Sequence, residues 1–319
     1  MAHPELVTIF GGSGFVGTQI VQLLARQGFR IRVAVRRPDL AGHLRPLGGV
    51  GQVVPMQANV RNADSVMAAV RGASIVINLT AVGAERGKQR FRAVNAMGAK
   101  TVAEAAKAAG VTTLIHMSVL GASETSPSAF ARSRALGEQM VRAAFPAAII
   151  VRPSIIFGVG DGFFNLLGSL ARMLPVLPVF GGKTRFQPVY VGDVAEAVAA
   201  AAMGKAEPGR TYELGGPEVL SYRQLIERVL ADTNRSNPLV DLPIWVGAVL
   251  ALPMGLLPKP LLTADQVKLL GIDNVVSAEA IGDGSTLAGL GITPRPLDAV
   301  LPTYLWRFSR NGQFDRQTA

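Results

Sequence analysis

Six apolar runs of strand length, separated by segments with helical spacing, constrain this chain more than any other feature. The runs are VTIF (7–10), IRVAV (31–35), VVPM (53–56), IVINLT (75–80), TLIHMS (113–118) and AIIVRP (148–153). A strand that is apolar throughout must be covered on both faces, and helices between successive strands supply that cover. The intervening segments agree. Val16, Ile20, Leu23 and Leu24 fall at helical spacing, and VNAMGAKTVAEAAKAAG (94–110) is Ala-rich and free of proline. The pattern predicts an α/β fold whose doubly wound sheet is parallel. Past Pro153 the texture becomes rich in proline and glycine, yet RFQPVYVGDVAEAVAAAAM (185–203) again reads as a strand followed by a helix. Residues 1–153 and 185–203 are therefore expected to form one domain. Residues 154–184 and 204–306 form a smaller, interleaved C-terminal lobe, and 307–319 a polar tail.

Between the first run and the first helix stands IFGGSGFVG, with glycines at 11, 12, 14 and 17. Glycines at this spacing permit a tight turn, let the backbone approach a pyrophosphate, and let the helix pack on the strand. The helix N-terminus then offers unpaired N–H groups to phosphate oxygens. The sheet is thus expected to be of the Rossmann type, with Gly11, Ser13, Gly14, Phe15, Val16 and Gly17 binding a dinucleotide. At the end of the second strand a carboxylate would accept the ribose hydroxyls of NAD, whereas a guanidinium would bind the 2′-phosphate of NADP. Here VAVRRPDL supplies Arg36 and Arg37, which favours NADP(H); a solvated basic turn is the alternative. Asp39 lies beyond Pro38 and is less well placed to meet a ribose.

With no cysteine there is neither a disulfide framework nor thiolate chemistry, and His3, His43 and His116 are too few and too scattered for a metal site. A net charge of +10 implies an acidic partner: nucleic acid, an anionic membrane surface or an acidic protein. Nucleic acid is not expected, because no zinc-finger spacing, RNA-binding sheet signature or basic heptad region is present. The opening MAHPELVTIF has no charged leader before a long apolar core and reads as a cytosolic or already processed chain.

The glycine turn, ANVRNADSV, INLTAVG, RPSIIFG and YELGGPEVLSY stand in an order that resembles the extended and atypical short-chain dehydrogenase/reductase superfamily over nearly the whole chain. The resemblance implies that Asn59 and Val60 flank the adenine, and that Leu79, Thr80 and Ala81 line the cofactor. Ser118 would match the active-site serine, and Pro153, Ser154 and Ile155 would run beside the nicotinamide. In active members a Tyr hydroxyl serves as general acid or base, and a Lys one helical turn later binds the ribose and lowers the Tyr pKa. The matching segment here is FARSRALGEQM, with Phe130 and Arg134 at the two positions. Phe130 has no titratable proton, while Arg134 can still hydrogen-bond a ribose and stay charged. Tyr190, Tyr212 and Tyr222 leave a relocated acid open, but none has a Lys four residues on. No catalytic residue is expected: binding is kept and the standard chemistry is lost.

Within the superfamily, LLPKPLLTADQVKLLGIDNVVS (256–277) and RPSIIFGVGDGFFN (152–165) resemble the dehydrogenase-like accessory subunits of respiratory complex I, NADH:ubiquinone oxidoreductase. That likeness implies tightly bound structural NADPH without turnover and other complex I subunits as partners. It also implies a peripheral place near the quinone site, on the cytoplasmic face of the bacterial inner membrane. LPIWVGAVLALPMGLLP (242–258) is uncharged but short of the roughly 20 residues needed to span a bilayer, and reads as an interfacial or partner-facing segment or as a buried helix. GFFNLLGSLARMLPVLPVFGG (162–182) reads as a second apolar surface or a pocket wall, and the basic run ERGKQRFR (85–92) as a solvated loop or a contact to acidic neighbours or phospholipid. Two other functions stay open: a soluble NADP-dependent reductase or epimerase, and an NADPH-sensing regulatory protein.

Overall fold

In the computed structural model, which describes residues 5–254, 263–310 and 312, each apolar run becomes a strand. These are β1 (Leu6–Phe10), β2 (Arg30–Val35), β3 (Val53–Gln57), β4 (Ile75–Asn78), β5 (Thr113–Met117) and β6 (Ile149–Pro153). All pair in parallel, in the order β3-β2-β1-β4-β5-β6, and a seventh strand, Thr211–Leu214, adds in parallel to β6. Strand order reverses between β1 and β4, which is where parallel α/β sheets open a crevice at their carboxyl ends. Pro55 is tolerated because β3 lies at the edge.

The first helices are α1 (Phe15–Arg26), α2 (Ala63–Val70), α3 (Met97–Ala108) and α4 (Ala129–Ala144). Phe10, Ala34, Val76, Leu114 and Ile150 share one apolar cluster with Val66, Val102 and Val141 of α2, α3 and α4. The period of two turns Ile9, Val33, Ile77 and Ile115 to the other face, all fully buried. The expected helix over 94–110 begins differently: Arg92–Ala96 is a π turn, and α3 proper follows.

The chain divides into two compact units, residues 1–153, 191–214 and 277–293, and residues 154–190, 215–276 and 294–319. Interleaving is greater than the expected boundaries of 185–203 and 204–306 allow, and pairing explains why. Val189–Tyr190 pairs with Ile156–Phe157 and so stays in the second unit, while Thr211–Leu214 extends the main sheet. Residues 277–293 return to the first unit: Ser277 N donates to Glu213 Oε2 at 2.8 Å, and Glu213 N to the Ser285 carbonyl at 2.9 Å. The first unit also contains α6 (Val191–Ala202), which packs beside α1.

The second unit is built on α5 (Phe163–Met173) and α7 (Tyr222–Asp232), with the rings of Phe163, Phe164, Phe186 and Tyr222 packed together. One face of the 162–182 stretch is core, with Phe164, Leu167, Ala171, Leu177 and Val179 buried, while Met173 and Val176 stay exposed. Asp161 anchors it. Its carboxylate accepts from Phe164 N at 2.7 Å and from the Tyr304 hydroxyl, and burial raises its pKa. The expected tail also begins later than 307, because Phe308 is buried and a Cβ on Gly168 would lie 2.6 Å from its ring. Strand Leu239–Leu242 pairs in parallel with Leu177–Phe180 and leads into α8 (Ile244–Met254). Gly247 of α8 faces the Phe180 ring and Ala251 is buried, whereas Trp245 and Val249 are 68% and 56% exposed. The segment is therefore buried on one side and apolar on its outer side; residues 255–258 lie outside the described residues. No helix among the described residues is long and apolar enough to cross a membrane.

One ion pair ties α4 to the sheet. Arg152 of β6 donates from Nε to Glu138 Oε1 at 3.0 Å and from Nη2 to Oε2 at 2.6 Å, and its Nη1 lies 3.6 Å from Glu213 on the seventh strand. Glu138 is 5% exposed. Removing Glu138 takes both short hydrogen bonds from Arg152 and leaves it the longer contact to Glu213, so Glu138→Ala is expected to cost about 2 kcal/mol, read as a lower urea midpoint at unchanged slope.

Candidate nucleotide-binding site

The turn after β1 is held by contacts that only glycine allows. Gly11 takes φ +79°, in the left-handed region, and a Cβ there would stand 3.3 Å from the Leu79 carbonyl carbon. A Cβ on Gly17 would lie 2.5 Å from Gly11 O and 2.6 Å from Gly12 Cα. Because Gly17 sits on the first turn of α1, that close approach lets the helix begin directly behind the strand. Gly14 is the N-cap and offers no side chain to the helix, so the first-turn donors Phe15, Val16 and Gly17 keep their N–H groups for a ligand. Ser13 is exposed beside them.

The crevice between β1 and β4 brings the next residues to this turn. Leu79 N donates to Phe10 O at 2.9 Å, and Thr80 N to Asn78 Oδ1 at 3.1 Å; Ala81 follows, exposed. Arg36 comes immediately after β2 and is exposed, with no ion pair among the described residues. Arg37 is engaged with Asp39 at 3.0 Å, a contact that raises the Arg37 pKa and lowers that of Asp39. Of the two arginines, Arg36 is the one left for a phosphate. Asn59 sits at the end of β3 with Oδ1 accepting from Arg61 N at 3.1 Å. The Val60 side chain, by contrast, turns into the core against Gly98, so that only its backbone can face an adenine.

Below the turn lies a buried polar seam. Asn78 and His116 are register partners on β4 and β5, with Asn78 Nδ2 3.2 Å from His116 Nδ1. Burial, and then the nearby Arg134 cation, holds the His116 pKa well below the ordinary range. Arg134 is 2% exposed and donates from one Nη to the Met117 carbonyl; burial lowers its pKa to about 10. Arg134 Nε, its other Nη, Ser118 Oγ and His116 Nε2 have no hydrogen-bond partner among the described residues. Buried donors in that state are satisfied by a bound polar group or water, which fits a ribose and nicotinamide amide at this place. Pro153 ends β6, its carbonyl accepting from Leu120 N at 2.9 Å, whereas Ser154 and Ile155 open the second unit and Ser154 Oγ donates to Asn274 Oδ1 at 2.6 Å.

Phe130 packs edge-on against the buried Phe91, ring centroids 5.9 Å apart. Asn95, which the sequence reading passed over, sits in the π turn with Oδ1 accepting from Val82 N at 2.8 Å and Nδ2 donating to Ser133 Oγ at 3.0 Å. It fixes α4 relative to the loop after β4, and a polar residue inside an Ala-rich helical run was its only sequence signal. The basic run 85–92 is a tight turn in which Arg86 pairs with Gln89, and Glu85 accepts from Phe91 N at 2.8 Å.

Sheet order, glycine turn and polar seam define a Rossmann-type dinucleotide fold with an appended second unit. The family described as "RmlD substrate binding domain" matches residues 5–244. The mitochondrial "NADH dehydrogenase [ubiquinone] 1 alpha subcomplex subunit 9" of Arabidopsis thaliana is 35% identical, over 96% of this chain and 79% of that protein. A "ceramide reductase" of Caulobacter vibrioides is 37% identical over 61% of this chain and 60% of that protein. The NADPH-dependent quinone oxidoreductase QOR2 of Escherichia coli, solved with NADPH, superposes with a TM-score of 0.72 at 20% identity, covering 92% of this chain and 97% of that one. The chain belongs to the extended short-chain dehydrogenase/reductase superfamily, in the family of the complex I alpha subcomplex subunit 9 proteins.

The seam has a pH signature. An imidazole whose folded pKa lies below its unfolded value binds its proton more readily in the unfolded chain, so its contribution is complete above about pH 6.5 and is lost as pH falls through the depressed folded value. Raised carboxyl groups such as Asp232, pushed by burial to about 6, act in the opposite sense. The difference in unfolding midpoint between wild type and His116→Gln, scanned downward from pH 7.5, should therefore shrink below pH 6.5. A difference independent of pH would show that His116 is not buried neutral.

Proposed function

We propose that this protein is a non-catalytic, nucleotide-holding accessory subunit of respiratory complex I, in which NADPH is a structural ligand. The observation that carries the reading is Phe130. A chain that keeps the glycine turn, Arg36 and the buried Ser118 and Arg134 but seats a phenyl ring against Phe91 can bind a nicotinamide nucleotide without the hydroxyl that moves the proton. The relatives named as complex I subunits support the partner. A peripheral position near the quinone site, at the cytoplasmic face of the inner membrane, agrees with the net charge of +10 and with the apolar outer side of α8.

When bound, NADPH would bring a hydride donor. This chain's own residues would hold the pyrophosphate at the first-turn N–H groups of α1, the 2′-phosphate at Arg36, and the ribose and amide at Ser118 and Arg134. Asn59, Leu79, Thr80 and Ala81 would line the adenosine and central portions. A ligand that binds only the folded chain stabilises it by mass action, about 2.7 kcal/mol at a hundredfold excess over Kd.

Two measurements follow. NADPH should raise the thermal midpoint of the apoprotein more than equimolar NADH, and Arg36→Glu should remove that preference; equal shifts in the wild type would refute the 2′-phosphate assignment. Mild solubilisation of native membranes and purification through a C-terminal tag should co-elute flavin- and iron–sulfur-containing complex I subunits with stoichiometric NADPH. Recovery of the protein alone from the soluble fraction would overturn the accessory reading and favour the reductase.

A further inference from the structure

The second unit holds a cavity of about 460 Å³ at the C-terminal end of α5, lined by none of the residues assigned to the nucleotide site. Arg172, Arg235 and Arg310 line it together with Ser236 and Asn237, and among the described residues no carboxylate does. Among the described residues none of the three forms an ion pair, although Arg228 on α7 finds Glu218 at 4.0 Å and also Asp298. Arg235 donates from Nε to Phe308 O at 2.8 Å, which leaves its Nη groups for the cavity. Burial, then repulsion from Arg310 and Arg172, lowers the Arg235 pKa, so the three cations feel one another.

A helix C-terminus ordinarily repels anions through its open carbonyls, and a cation there is common. That accounts for Arg172 alone. Here Asn237 Nδ2 donates to Ala171 O at 3.0 Å and to Leu174 O at 2.6 Å, occupying the carbonyls and pinning the 235–238 loop to α5. What remains is a concave wall of donors and positive charge. Like charges held together cost free energy until an anion joins them, and the planar guanidinium fork matches phosphate oxygens two at a time. Met173 and Val176 stand beside the cavity 67% and 42% exposed, as a lipid-proximal rim would.

We infer that this cavity is a binding site for a phosphate group, either the headgroup of an anionic phospholipid or a free phosphate. The site does not rest on the complex I reading, because it uses none of the nucleotide-site residues. The test uses full-length protein in three forms: wild type, Arg172→Gln/Arg310→Gln, and Lys88→Gln/Arg90→Gln in the separate basic turn. Each is sedimented with phosphatidylcholine vesicles with and without phosphatidylglycerol, and melted in inorganic phosphate against chloride at matched ionic strength. Far-ultraviolet circular dichroism in chloride confirms folding, and Arg172→Lys/Arg310→Lys keeps the charge while removing the fork.

The arginine pair is expected to lose at least tenfold in affinity, the 88/90 pair less than twofold, and the Lys variant to fall between. A response to phosphatidylglycerol vesicles alone assigns the site to lipid, and a phosphate-specific rise in midpoint assigns it to free phosphate. The inference fails if neither probe separates wild type from the arginine pair, or if the 88/90 pair loses as much, which would make the binding diffuse surface charge.

Discussion

Everything at the carboxyl end of the sheet depends on how closely α1 can follow β1. A methyl group on Gly17 would stand 2.5 Å from Gly11 O, so the helix could not start where it does with any other residue there. Because it does start there, its uncapped N-terminus lies over the point where strand order reverses, with Leu79 and Thr80 against Gly11. A phosphate-binding end, a crevice and a place for the rest of a nucleotide follow from one steric condition.

Beneath that crevice the electrostatics are unusual for a core. Asn78, His116, Ser118 and Arg134 are nearly or fully buried, and the only cation among them is held by burial and by the Met117 carbonyl. Burial, and after it the nearby Arg134 cation, keeps His116 neutral, so the seam has donors but no group that titrates near neutrality. Phe130 stands in an aromatic contact with Phe91 and brings no titratable group. Such a seam is suited to holding a polar ligand. In the second unit the surface charge is used differently: Arg172, Arg235 and Arg310 gather around an open cavity.

The six strands could be read from the sequence because their apolar runs are local and uninterrupted, and the glycine turn because each glycine has its own steric reason. Arg36 was legible as the residue after β2, but its separation from Arg37 was not, since that rests on the Arg37–Asp39 pair. Thr211–Leu214 is too short and too mixed to stand out as a strand until it pairs with β6. Asn95 reads as one polar residue in an Ala-rich run, and its bonds to Val82 and Ser133 exist only once α3 and α4 are side by side. That the Val60 side chain turns inward, leaving only its backbone for an adenine, was not legible, because it depends on the space left by Gly98, 38 residues away.

The sequence by itself determined the class of sheet, the place of the glycine turn and the side chains Phe130 and Arg134 one helical turn apart, because periodicity, glycine sterics and side-chain chemistry are local properties. Only the tertiary structure decided how residues 277–293 return to the first unit, that Arg134 points inward to Met117, and that three arginines distant in sequence share one cavity. Those outcomes depend on which surfaces meet after the chain has crossed between its two units, and no local pattern of residues carries that information.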